Sequence, residues 1–179
     1  MSEFDLIRRL TAGAITRRDD VVVGPGDDGA VMAVPPGHEL VLTTDALVSG
    51  RHFPADTPPA DIGWKSLAVN LSDLAAMGAE PAWVTVALVL PERDLDWLTG
   101  FMAGFAPLLE GSGAALVGGD LTRGPLTVSI QAAGLVPAGR ALRRDGARPG
   151  DRIAVTGTLG DAAAGLGDWL AARHPVDEH

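Results

Sequence analysis

The sequence predicts an α+β or α/β fold built on a mixed β-sheet. Three observations carry that reading. Short valine-rich runs bounded by Gly, Pro and Asp recur along the chain, the pattern of strands and turns. Between them lie long stretches with helix start and stop signals. The two kinds of element are intermixed, without an internal repeat or a low-complexity linker.

The elements follow in chain order. "DLIRRL", near the start, reads as a short helix, and "VVVG", "AVMAV" and "ELVLTTD" read as three strands. "DTPPADIGWKSLAVNLSDLAAMG" reads as a helix capped by Asp56 or Thr57, with prolines in its first turn and Gly78 closing it. "AWVTVALVL" is a strong strand. "DLDWLTGFMAGFAPLLEGSG" is a second helix, in which Pro107 is expected to introduce a kink or an early end. "ALVGGD" and "LTVSIQAAGLVP" are strands, and "AGRALRRDGARPGD" is a basic, turn-rich connection. "RIAVTG" then reads as a strand and "LGDAAAGLGDWLAARH" as a helix. The segment "DGARPGD" is the best boundary, dividing the chain into residues 1–146 and the beginning of another domain at 147–179.

Composition narrows the function. The chain has 179 residues, 46% apolar and 21% charged, as expected of a globular protein with one ample core. A net charge of −9 argues against a nucleic-acid surface, which needs a basic patch. The absence of cysteine excludes disulfides and thiolate metal sites, and four histidines make zinc an unexpected ligand. The N-terminus lacks the apolar core of a secretory signal, and no apolar run approaches the ~20 residues of a membrane helix. A cytoplasmic location is the expectation. Only one of the 14 basic residues, Lys65, is a lysine.

The stretch "GPGDDG" at residues 24–29 fits the dinucleotide pattern G-x-G-x-x-G. That loop works by leading into a helix whose N-terminus faces a pyrophosphate. Here a short strand and Pro35–Pro36 follow, and two carboxylates would repel the phosphates. A dinucleotide loop is therefore rejected. A glycine-flanked acidic pair suits either a solvated turn or a cation. Other oxygen donors stand at comparable places: Thr43, Thr44 and Asp45 end a strand, Asp73 follows Asn70 by three on a helix, and Asp120 ends "ALVGGD". Such positions can converge at one edge of a sheet, and their hard oxygens suit Mg²⁺. Taken singly, most of these are more readily turn, strand or solvated residues than ligands, as are His52 and Arg143–Arg144. Together, without basic neighbours in sequence, the acids favour a cation site. No Walker loop, protein-kinase signature or nucleophile elbow is present.

In this order, "GPGDDGAV", "LTTDALVSGRHF", "WKSLAVNLSDLAAMGAEPAWVTVALVLPE" and "LVGGDLTRGPLTVSIQAAGLVPAGRALRRDGARPGDRIAVTGTLGDAAAGL" resemble the thiamine-monophosphate kinase family. That family lies within the aminoimidazole ribonucleotide synthetase-like superfamily. The resemblance runs from the first helix to about residue 167 and covers the N-terminal half of the family's length. It implies an α+β domain with helices on one face of a mixed sheet, two such sheets joining in a homodimer-spanning β-barrel. It also implies a second α/β domain opening at "RPGDRIAVTGTLGDAAAGL". The implied reaction converts ATP and thiamine monophosphate to ADP and thiamine diphosphate with several Mg²⁺ ions. By position, Asp28, Thr43, Thr44, Asp45, Asp73 and Asp120 match the family's magnesium ligands, with Asp28, Asp73 and Asp120 as the catalytic set. Gly119, Asp120 and Arg144 match ATP contacts, and His52 matches a substrate-contacting histidine. Further family ligands, an "SDG"-type aspartate, a glutamate and a stacking aromatic, belong to the second half and have no counterpart here. The accepting phosphate is already ionised near neutral pH, so direct in-line transfer without a phosphoenzyme is expected. The lack of cysteine and the run "NLSDLAAMGAEPAW" set the chain apart from selenophosphate synthetases. The competing readings are a dimerising Mg²⁺-nucleotide-binding module without turnover and another ATP-dependent member of the same superfamily, such as a purine-pathway synthetase.

Overall fold

A computed structural model describes residues 18–171. The expected helix "DLIRRL" and the last residues of the final helix lie outside that range. The described chain separates into two compact units that part between Arg143 and Arg144.

In the first unit, β1 (Val21–Val23) and β2 (Val31–Met32) form a small antiparallel ribbon. There follow β3 (His38–Val48), α1 (Pro59–Ala76), β4 (Glu80–Leu90), α2 (Leu95–Ser112), β5 (Ala115–Arg123) and β6 (Thr127–Pro137). Strands β3 to β6 make one sheet in the order β3-β6-β4-β5. The β4–β5 pair is parallel and the others are antiparallel. Helix α2 supplies the long crossover that a parallel pair requires. The mixed α+β architecture is as the sequence predicts.

Both helices cover one face of the sheet. Leu67 and Leu74 of α1 and Leu98, Phe101, Phe105 and Leu109 of α2 are buried against Val84, Leu88, Leu116, Val128 and Ile130. Trp97, Phe101 and Phe105 recur every four residues and stack along α2, with ring centroids 5.5 and 5.8 Å apart. Glycines set how closely the helices cross. A Cβ on Gly104 would lie 1.9 Å from the Ala60 carbonyl oxygen, and one on Gly63 2.1 Å from that of Phe101. On the opposite sheet face Ala82, Trp83, Ala115, Val117 and Ala133 form a smaller cluster, against which Val21 and Ala30 pack. The Trp83 indole N–H donates to Asp20 at 3.0 Å, and the Arg18 guanidinium bridges to the same carboxylate at 2.7 Å. That guanidinium holds the Asp20 carboxyl below the ordinary carboxylate range, with the indole assisting.

Several element ends differ from expectation. Helix α1 starts after Pro58 without any side-chain cap, so neither Asp56 nor Thr57 caps it. Prolines at 58 and 59 pre-set the first turn and remove an N–H that a cap would otherwise satisfy. Gly78 adopts φ 70° and closes the helix as expected. Pro107 does not end α2, which runs on to Ser112. It sits with Ala103 on the exposed side of the helix, where water can meet the carbonyl that loses its partner. "AVMAV" pairs only at Val31–Met32, and β5 continues past Asp120 to Arg123.

The second unit contains α3 (Asp161–Leu170), which begins beside a Thr158–Asp161 hydrogen bond. The expected strand "RIAVTG" does not form, and Ile153 is 97% exposed. A strand needs a neighbour to pair with, and among the described residues this unit holds no other strand. No helix among the described residues is long and apolar enough to cross a membrane.

Candidate functional site

Two cavities hold most of the residues singled out from the sequence. The first lies between β3 and α1. Alternation along β3 turns Val41, Thr43, Asp45 and Leu47 toward the helices and leaves Leu40, Leu42, Thr44 and Ala46 on the open face. Helix α1 answers with Asp61, Lys65, Ala68 and Ser72, which recur at helical spacing, beside Trp64, Val69 and Asp73. Together with Asp45 these residues line an open groove of about 700 Å³. The Thr43 hydroxyl donates to Asp73 Oδ2 at 2.8 Å, tying strand to helix. Thr44 points the other way and donates to the Ile130 carbonyl at 3.0 Å, bracing β3 on β6. Asn70 does not share the exposure of Asp73: it is fully buried and donates to the Ser66 carbonyl.

The second cavity, of about 560 Å³, opens at the other edge of the sheet. Its floor is apolar, built from Leu88, Phe101, Met102, Phe105 and Leu116. Its rim carries Asp27, Asp28, Gly118, Gly119 and Asp120. The Asp27 carboxylate accepts the Asp28 backbone N–H at 2.8 Å, so Asp27 shapes the loop while the exposed Asp28 side chain stays available. Gly119 is required by packing. A Cβ there would meet the Val86 carbonyl oxygen at 2.1 Å.

The sheet register fixes how the two cavities relate. Asp45 pairs with Ile130, Ile130 with Val86, and Val86 with Gly119. One row therefore crosses all four strands, and Asp45 stands three strand spacings, roughly 14 Å, from Gly119. Oxygen ligands sit about 2.0–2.6 Å from Mg²⁺ or Ca²⁺, so one ion cannot bridge that gap. The single convergence at one sheet edge, expected from sequence, is thus replaced by two groups: Asp45 and Asp73 in one cavity, with Thr43 bonded to Asp73, and Asp28 and Asp120 in the other. Among the described residues no three Asp, Glu or His side chains lie close enough to hold one metal. This arrangement still suits Mg²⁺, which is usually held by one or two carboxylates plus substrate phosphates and water.

His52 sits in the turn after β3, where the Lys65 ammonium donates to its carbonyl. Arg144 belongs to the second unit. Asp61, Trp64, Lys65 and Ser72 were not singled out from sequence as site residues. Their shared helical face with Asp73 was the available signal. The floor of the second cavity gave none, because Phe101 and Phe105 are also core residues.

The N-terminal domain model of AIR synthase related protein matches residues 26–136. The chain belongs to the AIR synthase related family. Within that family it is similar to thiamine-monophosphate kinase from Salmonella typhimurium, at 54% identity over 99% of this chain and 55% of that protein. It is 53% identical to the crystal structure of thiamine-monophosphate kinase from Stenotrophomonas maltophilia, with a TM-score of 0.86 over 96% of this chain and 54% of that one. It also matches the structure of AaThiL complexed with AMPPCP and TMP, at 33% identity and a TM-score of 0.74, over 97% of this chain and 53% of that one. The expected resemblance to thiamine-monophosphate kinase is thereby shown, and this AIR synthase related chain spans about half the length of the curated relatives it matches.

Proposed function

We propose that the chain provides the ATP- and magnesium-binding half of a thiamine-monophosphate kinase, transferring the γ-phosphoryl group of ATP directly to thiamine monophosphate. The observation that carries this reading is the 54% identity to such a kinase across 99% of the chain. The solved AaThiL complex with AMPPCP and TMP supports ATP and thiamine monophosphate as the pair of substrates.

Two polyanions must meet in this reaction, and an acidic protein would repel both. Two separated carboxylate groups answer that difficulty. Asp28 and Asp120 would hold one Mg²⁺, and Asp45 and Asp73, braced by the Thr43 hydroxyl, another. Bound Mg²⁺ supplies the charge neutralisation that lets phosphates crowd together. Gly119 brings β5 against β4 and leaves the rim open for a phosphate chain, and Arg144 is assigned to the same nucleotide. Thr44 braces β3, and its hydroxyl oxygen keeps lone pairs for a metal while it donates to Ile130. The accepting phosphate needs no base, so positioning carries the rate. We assign residues 1–146 to a dimerising domain and 147–179 to the beginning of a second one, in a cytoplasmic protein.

The test is ATP-dependent formation of thiamine diphosphate by the chain, with the Asp120→Asn variant beside it. Turnover is expected and should fall by about a hundredfold or more in the variant, the effect of losing several kcal/mol of metal-borne stabilisation. Unchanged turnover would overturn the metal assignment. A second reading is binding without turnover. Magnesium-dependent nucleotide binding with no thiamine diphosphate formed would establish that one.

A further inference from the structure

We propose that Lys65 is a positioning residue that holds His52 as a hydrogen-bond donor toward the substrate. The turn after β3 is closed from several sides. The Gly50 N–H donates to the Phe53 carbonyl at 2.8 Å, the His52 N–H donates to the Val48 carbonyl at 2.9 Å, and Phe53 is buried. The ring is held as well. His52 Nδ1 lies 3.0 Å from the Val48 backbone nitrogen. A backbone N–H can only donate, so Nδ1 accepts and carries no proton in this geometry. The neutral ring must then carry its proton on Nε2. Turning the ring over would set a C–H against the Val48 N–H.

Lys65 completes the clamp. Its Nζ donates to the His52 carbonyl at 2.6 Å, a short charge-assisted bond. Lys65 stands on α1 and lines the cavity that contains Asp45 and Asp73. The main chain of His52 is thus fixed to the helix that bears Asp73, and its ring is fixed to β3, which bears Asp45. The Nε2–H is the position of the ring that neither contact uses, and under the function proposed above it is the group offered to the substrate. A donor suits an acceptor such as a phosphate oxygen, and it cannot remove a proton. His52 therefore orients the substrate and is no general base. The identity of that substrate rests on the function proposed above; the clamp does not.

The experiment is long-range ¹H–¹⁵N correlation of the imidazoles in the ¹⁵N-labelled 179-residue chain, with His52→Gln assigning the signals. The expected result is a pyridine-type Nδ1 and a pyrrole-type Nε2 at His52. Lys65→Met should move both signals toward a mixture of tautomers, and Lys65→Arg should restore the original pattern, with amide dispersion showing that each variant folds. A pyrrole-type Nδ1 in the unsubstituted chain, or a Lys65→Met spectrum identical to it, would overturn the proposal. Titration with thiamine monophosphate separates the two claims. The Nε2–H signal is expected to shift, with apparent affinity about tenfold weaker in Lys65→Met, the equivalent of one hydrogen bond. The stated tautomer with no response to thiamine monophosphate would retain the clamp and refute the substrate contact.

Discussion

Single side chains in this protein do work that their neighbours cannot share. Asp20 is the clearest case, because it joins Arg18 to Trp83 and so fastens the start of the described chain to the sheet. Its carboxyl is depressed chiefly by the hydrogen bond from Arg18. A depressed carboxyl stabilises the fold fully above its unfolded pKa, and that contribution fades as pH falls through the lower folded value. Asp20→Asn should cost about 1–2 kcal/mol at neutral pH, read by urea denaturation. The gap between the two proteins should hold constant down to the ordinary carboxylate range and narrow below it. A gap that widens on acidification would show that the sign is wrong. Gly119→Ala belongs to the same scale. The added methyl meets the Val86 carbonyl, so β5 must shift, and magnesium-dependent nucleotide binding should weaken along with stability.

At the scale of elements, the close crossing of α1 and α2 is the most exacting contact. Gly104→Ala places a methyl against the Ala60 backbone, which cannot move aside as a side-chain tip can. A loss of about 3 kcal/mol is expected, at the upper end of ordinary overpacking, and thermal denaturation would measure it. A variant as stable as the original would mean that the helices separate freely. The elements themselves were legible in the sequence wherever a long pattern existed. "AWVTVALVL" and "LTVSIQAAGLVP" read as strands because β-branched runs between turn residues leave few alternatives. Ends were less legible. Pro58 replaced the expected cap of α1, and the exposed side of α2 absorbed Pro107, since exposure depends on packing that local sequence does not encode. "RIAVTG" failed as a strand for want of a pairing neighbour, which no local pattern can supply. For the candidate site, residue types were readable but their grouping was not. Thr43, Asp45 and Asp73 meet because β3 and α1 pack together, and Asp120 lies apart from them because the sheet order places β5 at the opposite edge from β3, with Asp28 in the loop that lines the same cavity as Asp120.

The whole first unit presents one surface that its own fold leaves open. Leu40, Leu42 and Val48 of edge strand β3 are 49%, 57% and 36% exposed, on the face turned away from α1. Natural edge strands are usually blunted by charge, proline or a cover, and β3 shows an aliphatic row instead. Such a row suits the interface that the proposed homodimer needs. The proposed homodimer, with two sheets closing into a barrel, would cover it and remove the open edge together. A stable contact of that type buries on the order of 1,200–2,000 Å². Leu42→Glu inserts one charge per copy at the centre of the row, and two-fold symmetry would bring the like charges close together. Sedimentation equilibrium should show a dimer for the original chain and a monomer for the variant, while circular dichroism stays unchanged because Leu42 touches little of its own core. A monomer from the outset would remove the dimer from the proposal. A variant that remains dimeric would place the interface elsewhere on the molecule.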